Sequence, residues 1–213
     1  MTIPLVPSAP RTGEADDARS IPRWRAEAEG ALASSLRLRD GTSVGVRPIR
    51  PDDDERLRAF HARLSPQSIH RRFFASLPAL PPAQAERFTH VDYAGRMALV
   101  ATTGAGAEEA IIAVVRYEQI APRTAEVAFV VEDRWQNRGI AGALFARLAD
   151  YARAHGFTSL LAITLVDNLP MRALLSHAGY PHTVRYADGC VEVHLDIGMR
   201  PAPQAGRVTG AGQ

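Results

Sequence analysis

The stretch Val130-Val131-Glu132-Asp133-Arg134-Trp135-Gln136-Asn137-Arg138-Gly139-Ile140-Ala141-Gly142 leaves an apolar strand, crosses a short loop and enters a helix. The first backbone N–H groups of such a helix have no intrahelical partners, and with the helix dipole they form a site for an anion such as a diphosphate. Glycine at 139 lets an anion approach the amides closely, because no side chain stands in front of them. Taken alone, Gly-x-Ala more often marks close strand-to-helix packing. On the preceding strand Glu126 lies among Ala125, Val127, Ala128 and Phe129. Apolar surroundings raise a carboxyl pKa toward neutrality, which makes Glu126 a candidate general base; the plainer reading is a strand glutamate facing solvent. The histidines show neither HxxxH nor HExxH spacing, and Pro51-Asp52-Asp53-Asp54-Glu55 suits a helix start and solvation, so no metal site is expected. Cys190, the single cysteine, has no partner for a disulfide and reads as a structural or incidental thiol.

The elements that must position these residues follow from periodicity. Trp24 to Leu36 reads as a helix, Val44 to Ile49 as a strand, and helices follow Pro51, Ser65-Pro66 and Pro81-Pro82. Met97–Ala101, Ala110–Tyr117 and Ala125–Val131 read as successive antiparallel strands. Arg138 to His155 carries apolar residues at helical spacing and stops at Gly156. A strand at Leu160–Leu165, a helix from Asn168 to His177 and a strand pair near His182–Tyr186 and Cys190–Ile197 around Asp188-Gly189 complete a mixed α/β order.

In its setting, the full pattern Gln136-x-x-Gly139-x-Ala141 resembles the coenzyme A pyrophosphate loop of the GNAT N-acyltransferase superfamily. It lacks the Lys-Ser/Thr ending of a nucleotide P-loop and does not follow a first βαβ unit, which disfavours ATP and NAD. Asn168, eleven residues before Gly179-Tyr180, and the order of elements agree with that resemblance, which covers about residues 37–198. Within the superfamily the chain looks most like Pat-type protein lysine acetyltransferase domains. The matching stretches are collinear: Asp40-Gly41, Val46-Arg47-Pro48-Ile49-Arg50-Pro51-Asp52-Asp53, Leu64-Ser65, Ser68-Ile69, Arg72-Phe73-Phe74, Asp92-Tyr93, Met97 to Ala101 and Ala125 to Phe129.

The resemblance implies a mostly antiparallel α/β sheet flanked by helices, and acetyl-CoA as cosubstrate without a metal. It implies cofactor contacts at Phe129, Val130, Val131, Gln136, Asn137, Arg138, Gly139, Ile140, Ala141, Gly142 and Asn168, and Glu126 as general base. A lysine amine has a pKa of about 10.4, so only about one in 2500 is neutral at pH 7 and a base is needed. Many GNAT enzymes place a Tyr seven residues after the Asn to protonate the leaving thiolate; here Leu175 stands there, and the thiol, with a pKa near 8.5, can leave as the anion. Trp135 reads as a packing residue, and Arg71-Arg72-Phe73-Phe74 either as core phenylalanines beside solvated arginine or as arginines reading acidic groups near the target lysine.

Composition bounds the rest. All 25 basic residues are arginine, the formal net charge is +2, and no segment is strongly basic, so nucleic acid is not expected as a partner. No apolar run approaches the roughly 18 residues of a membrane span, no export signal opens the chain, and one cysteine fits a reducing compartment; the expected location is the cytoplasm. Residues 1–36 are expected to be a flexible tail with a short helix, 37–199 the acetyltransferase domain and 200–213 a second tail. The expected reaction is acetyl transfer from acetyl-CoA to a lysine of a partner protein in a ternary complex. The alternatives are a small-molecule amine acceptor or a non-catalytic acyl-CoA-binding module.

Overall fold

A computed structural model describes residues 23–199, with side chains from residue 26. The tails expected over 1–22 and 200–213 lie outside the described residues.

Helix α1 (Arg23–Leu32) ends earlier than the expected Leu36, and strand β1 (Ser34–Arg37) follows, pairing antiparallel with β2 (Ser43–Pro48). Strand β1 therefore crosses the boundary expected between residues 36 and 37. Its residues are mostly exposed, so apolar periodicity could not show it. The signal was the turn: Asp40-Gly41, with Gly41 at φ +86°, closes a hairpin between Leu38 and Thr42, and Asp-Gly between apolar residues favours such a turn.

After a 3-10 turn at Pro51–Asp53 come α2 (Asp54–Ala62), α3 (Pro66–Phe73) and α4 (Pro82–Thr89). Asp53 is fully buried rather than solvated. It takes a two-point ion pair from Arg47, at 2.6 and 2.8 Å, and accepts the Arg50 N–H at 2.8 Å; Glu109 binds the same guanidinium from the far side. Burial alone would weaken the Arg47 charge, but these two carboxylates hold its pKa above the ordinary arginine value.

Strands β3 (Arg96–Thr103), β4 (Ala110–Ala121) and β5 (Thr124–Val131) run antiparallel in turn. Helix α5 (Ile140–Ala154) then returns the chain so that β6 (Ser159–Leu165) lies parallel to β5. After α6 (Leu169–Ser176), β7 (His182–Ala187) and β8 (Cys190–Asp196) form a hairpin through Asp188-Gly189, both at positive φ. The sheet order is β1-β2-β3-β4-β5-β6-β8-β7.

The α5 side of the sheet is fastened by rings: Phe129 lies 5.4 Å from Phe145 of α5, which meets Tyr180 edge-on at 6.1 Å. On the opposite face Val114 and Arg116 of β4 and Val130 of β5 meet α2, α3 and α4. No helix among the described residues is long and apolar enough to cross a membrane.

Candidate active site

The one parallel join in the sheet is short. Register between β5 and β6 runs only from Thr124/Ser159 to Val127/Ala162, although β5 continues to Val131 and β6 to Leu165. The strands part beyond that point, and a cleft of about 470 Å³ opens between them. The Glu132 N–H bonds across to Ile112 of β4, so strand alternation turns the backbone groups of Phe129 and Val131 toward the gap. One of these groups, the Val131 carbonyl, accepts from Gln136 Nε2 at 3.0 Å.

The loop between β5 and α5 closes one end of the cleft. Gln136 Nε2 also reaches Ser68 Oγ at 3.1 Å, and Asp133 accepts from the Ser65 N–H at 2.9 Å, the Ser65 hydroxyl at 2.6 Å and the Ser68 hydroxyl at 2.8 Å. Burial opposes the Asp133 charge, yet the Ser65 and Ser68 donors keep its carboxyl below the ordinary aspartate value. The same contacts pin the start of α3 to the loop, since Ser65 Oγ caps that helix through the Ser68 N–H at 3.1 Å. Asn137 (φ +60°) and Gly139 (φ +88°) are both left-handed, and this double reversal turns the first amides of α5 into the cleft. Among the described residues no side chain caps α5. A Cβ at Gly139 would meet only Arg39 Nε, at 3.8 Å, so the space before those amides is open.

Glu126, Phe129, Val130, Val131, Gln136, Asn137, Gly139, Ile140, Ala141, Gly142 and Asn168 all line this cleft. Arg138 does not: its side chain turns outward to Asp40 at 2.7 Å and lies over the Trp135 ring at 4.8 Å, because the chain reverses at Asn137. The Phe129 side chain points into the core, so only its backbone can serve the cleft. Asn168 is buried and already engaged, donating to Thr164 Oγ1 at 3.0 Å and accepting the Met171 N–H at 3.4 Å as the cap of α6.

Glu126 pairs with Glu118 on the neighbouring strand β4 and stands at the cleft wall beside Arg72. Its side chain is solvent-exposed on the open side of the cleft, as the plainer reading of the sequence expects, yet partial desolvation by the walls raises its pKa above the ordinary glutamate value; Arg72 opposes the rise and Glu118 adds to it. A carboxylate in this state can accept a proton from an amine entering the cleft.

Arg39, Trp135 and Phe74 also line the cleft, and sequence spacing places none of them there. Arg39, just beyond β1, lies beside Gly139 and brings a positive charge to the loop; finding it required the hairpin that the exposed β1 concealed. Trp135, read as a packing residue, packs against the core and also lines the cleft. Phe74 caps α3 at φ +56° and turns into the cleft, so the Phe73-Phe74 pair is split rather than wholly core. Leu175 is fully buried, and Cys190 does not line the cleft. Among the described residues no group of three or more His, Cys, Asp or Glu is arranged to hold a metal ion.

Comparison with known proteins supplies the family. The profile described as "Acetyltransferase (GNAT) family" matches residues 67–180, more than half of the chain. The chain belongs to the GNAT acetyltransferase family. It is an N-acetyltransferase by that membership. "Acetyltransferase PA5475" of Pseudomonas aeruginosa is 33% identical over 67% of this chain and 77% of its own length. "Acetyltransferase Pat" of Mycolicibacterium smegmatis is 34% identical over 76% of this chain, which spans about half (48%) of that relative. The crystal structure of the GNAT domain of S. lividans PAT is 36% identical, with a TM-score of 0.71 over 84% of this chain and 99% of that one. The GNAT fold and the resemblance to Pat-type domains thus rest on both sequence and structure.

Proposed function

We propose that this GNAT enzyme uses acetyl-CoA to acetylate a lysine side chain of a partner protein, with Glu126 as the general base. The observation that carries the reading is that one cleft holds three groups a direct transfer needs. These are the uncapped amides of α5, the unpaired strand amides of Phe129 and Val131, and a carboxyl of raised pKa. Bound in the cleft, acetyl-CoA supplies the thioester that is attacked.

The residues divide the remaining work. The amides from Gly139 to Gly142 hold the diphosphate, with Arg39 adding charge. The Phe129 and Val131 amides hold the pantetheine arm and the acyl oxygen, as preorganised donors do in acyl transfer. Glu126 takes the proton of the incoming ammonium so that the neutral amine attacks, and no covalent enzyme intermediate is required. The protein acceptor rests on the similarity to Pat-type relatives.

Incubating the chain and acetyl-CoA with a cell lysate, then mapping new acetyl-lysines by mass spectrometry, tests this reading. Sites absent from a Glu126→Gln control support it. Acetylation confined to free small amines would assign the enzyme to the small-molecule branch.

A further inference from the structure

Strand β7 ends the sheet, and among the described residues nothing pairs with its outer edge. The pairing on its inner side fixes which backbone groups are free. The Ile197 N–H bonds to the Thr158 carbonyl and the Asp196 N–H to that of Pro181, so successive residues of β8 turn their backbone groups alternately toward β6 and β7. Carried along the register, Thr183, Arg185 and Ala187 bond to β8, while His182, Val184 and Tyr186 turn their N–H and C=O groups outward. Such a row of free groups is a template for a further strand.

The side chains at this edge suit the same use. Val184 and Tyr186 lie on the face that β8 fills with Val193 and Val191, yet they are 45% and 60% exposed. Arg172 of α6 binds the Tyr186 hydroxyl and the Val166 carbonyl, each at 2.9 Å, and so joins Tyr186 to the loop that carries Val166 and leads to Leu169. Val166, Leu169, Val184 and Tyr186 are four of the six large apolar side chains exposed among the described residues, and that concentration marks an interaction surface. The opposite edge, β1, offers only Ser-Ser-Leu-Arg.

The symmetry of the edge decides what fits it. Two copies laid antiparallel about a two-fold axis at Val184 pair His182 with Tyr186 of the other copy and Val184 with itself. Each of these pairs is of the hydrogen-bonded kind, because all three residues face outward. Arg185 then stands opposite Thr183 of the other copy, meets no like charge and keeps its own Glu192 at 2.9 Å. Moving the axis to Arg185 would set that residue against itself. Moving it to Thr183 would call on Tyr180, which is buried against Phe145. We infer that β7 is a self-association edge, joining two copies of this chain about a two-fold axis at Val184 into one continuous sheet. Helix α6 borders this edge through Arg172 and the cleft through Pro170, Met171 and Leu174. The inference does not depend on which amine the enzyme acetylates.

Sedimentation equilibrium of the full chain tests it. One strand and a small apolar strip make a weak, reversible contact, so the weight-average mass should climb from 23.1 kDa toward twice that, about 46 kDa, between about 1 μM and about 1 mM. Val184→Glu sets two carboxylates face to face on the axis from an exposed position and should hold the chain at 23.1 kDa. Val184→Pro removes an outward N–H and no bond to β8, and should do the same, which keeps a test available should either variant misfold. Thr183→Glu would face Arg185 of the other copy in this register alone and should tighten the dimer by about 2- to 30-fold. A chain that stays monomeric at about 1 mM overturns the proposal, whether β7 is then free, covered by the chain's own terminal residues or kept for a different protein. So does a dimer that survives both Val184 variants, and a dimer weakened by Thr183→Glu contradicts the register.

Discussion

Replacing Gly139 with alanine perturbs the chain in two separable ways. Gly139 sits at φ +88°, where an L side chain is disfavoured by roughly 1–2 kcal/mol. For a chain of this size that corresponds to a Tm loss of about 2–8 °C. The new Cβ meets no atom closer than Arg39 Nε at 3.8 Å, so no steric clash adds to that cost and the fold survives. In the cleft, however, the methyl stands before the uncapped amides of α5. Losing one charge-assisted hydrogen bond to a diphosphate costs about 1.5–3 kcal/mol, or roughly a 10- to 150-fold rise in Kd for acetyl-CoA. Gly156→Ala is the matched control: it has φ +86°, nothing within 4 Å of its Cβ, and a position outside the cleft. Both variants should lose similar Tm by circular dichroism, and only Gly139→Ala should lose affinity in calorimetric titration. Unchanged affinity in folded Gly139→Ala, or equal loss in both variants, would refute the placement of the diphosphate.

Asp53→Ala leaves the Arg47 guanidinium buried and short of one carboxylate, so stability should fall by about 3–5 kcal/mol, read by urea denaturation; a loss under 1 kcal/mol would mean that Glu109 alone suffices. Glu109 and Asp133 both have folded pKa values below their ordinary ones, so their contribution is complete above the ordinary carboxylate range and disappears as pH falls through the lowered folded values. Unfolding free energy should therefore decline on acidification below about pH 4–5, and less steeply in Asp133→Asn. Because Arg72 opposes the raised pKa of Glu126, Arg72→Met should move the acid limb of the kcat/KM profile to higher pH; an unmoved limb would show that Arg72 does not act on this carboxyl. The sequence contains no lysine, so prolonged incubation with excess acetyl-CoA should leave the intact mass unchanged or raised by one acetyl group at the α-amine. Stable multiple additions would mean acylation of Ser, Thr, Tyr or Cys.

Residues with strong local signals were legible before any fold was known. The apolar spacing of α5, the Asp188-Gly189 turn and the loop pattern Gln136-x-x-Gly139-x-Ala141 all lie where periodicity and turn chemistry placed them. What escaped depends on distant contacts. β1 is exposed and carries no alternation, and its concealment hid Arg39. Asp53 looked like a solvated helix-start acid, because its partner Arg47 comes from the preceding strand and Glu109 from a loop far along the chain. Arg138 turns outward to Asp40, a partner in the β1–β2 hairpin nearly a hundred residues away, which local periodicity does not show. The parting of β5 from β6 is a tertiary event, and it makes the cleft.

The central claim is that Glu126 is the base for acetyl transfer in this cleft. The most direct measurement is kcat/KM for a lysine-containing protein acceptor against pH, in wild type and Glu126→Gln, with acetyl-CoA affinity measured alongside. Wild-type activity should rise with pH as the Glu126 carboxyl ionises and level off above its raised pKa. The variant should be slower by roughly 10²–10⁴-fold, should lose that limb, and should bind acetyl-CoA within a few-fold of wild type. Near-normal turnover of Glu126→Gln at pH 7, with the acid limb intact, would contradict the account.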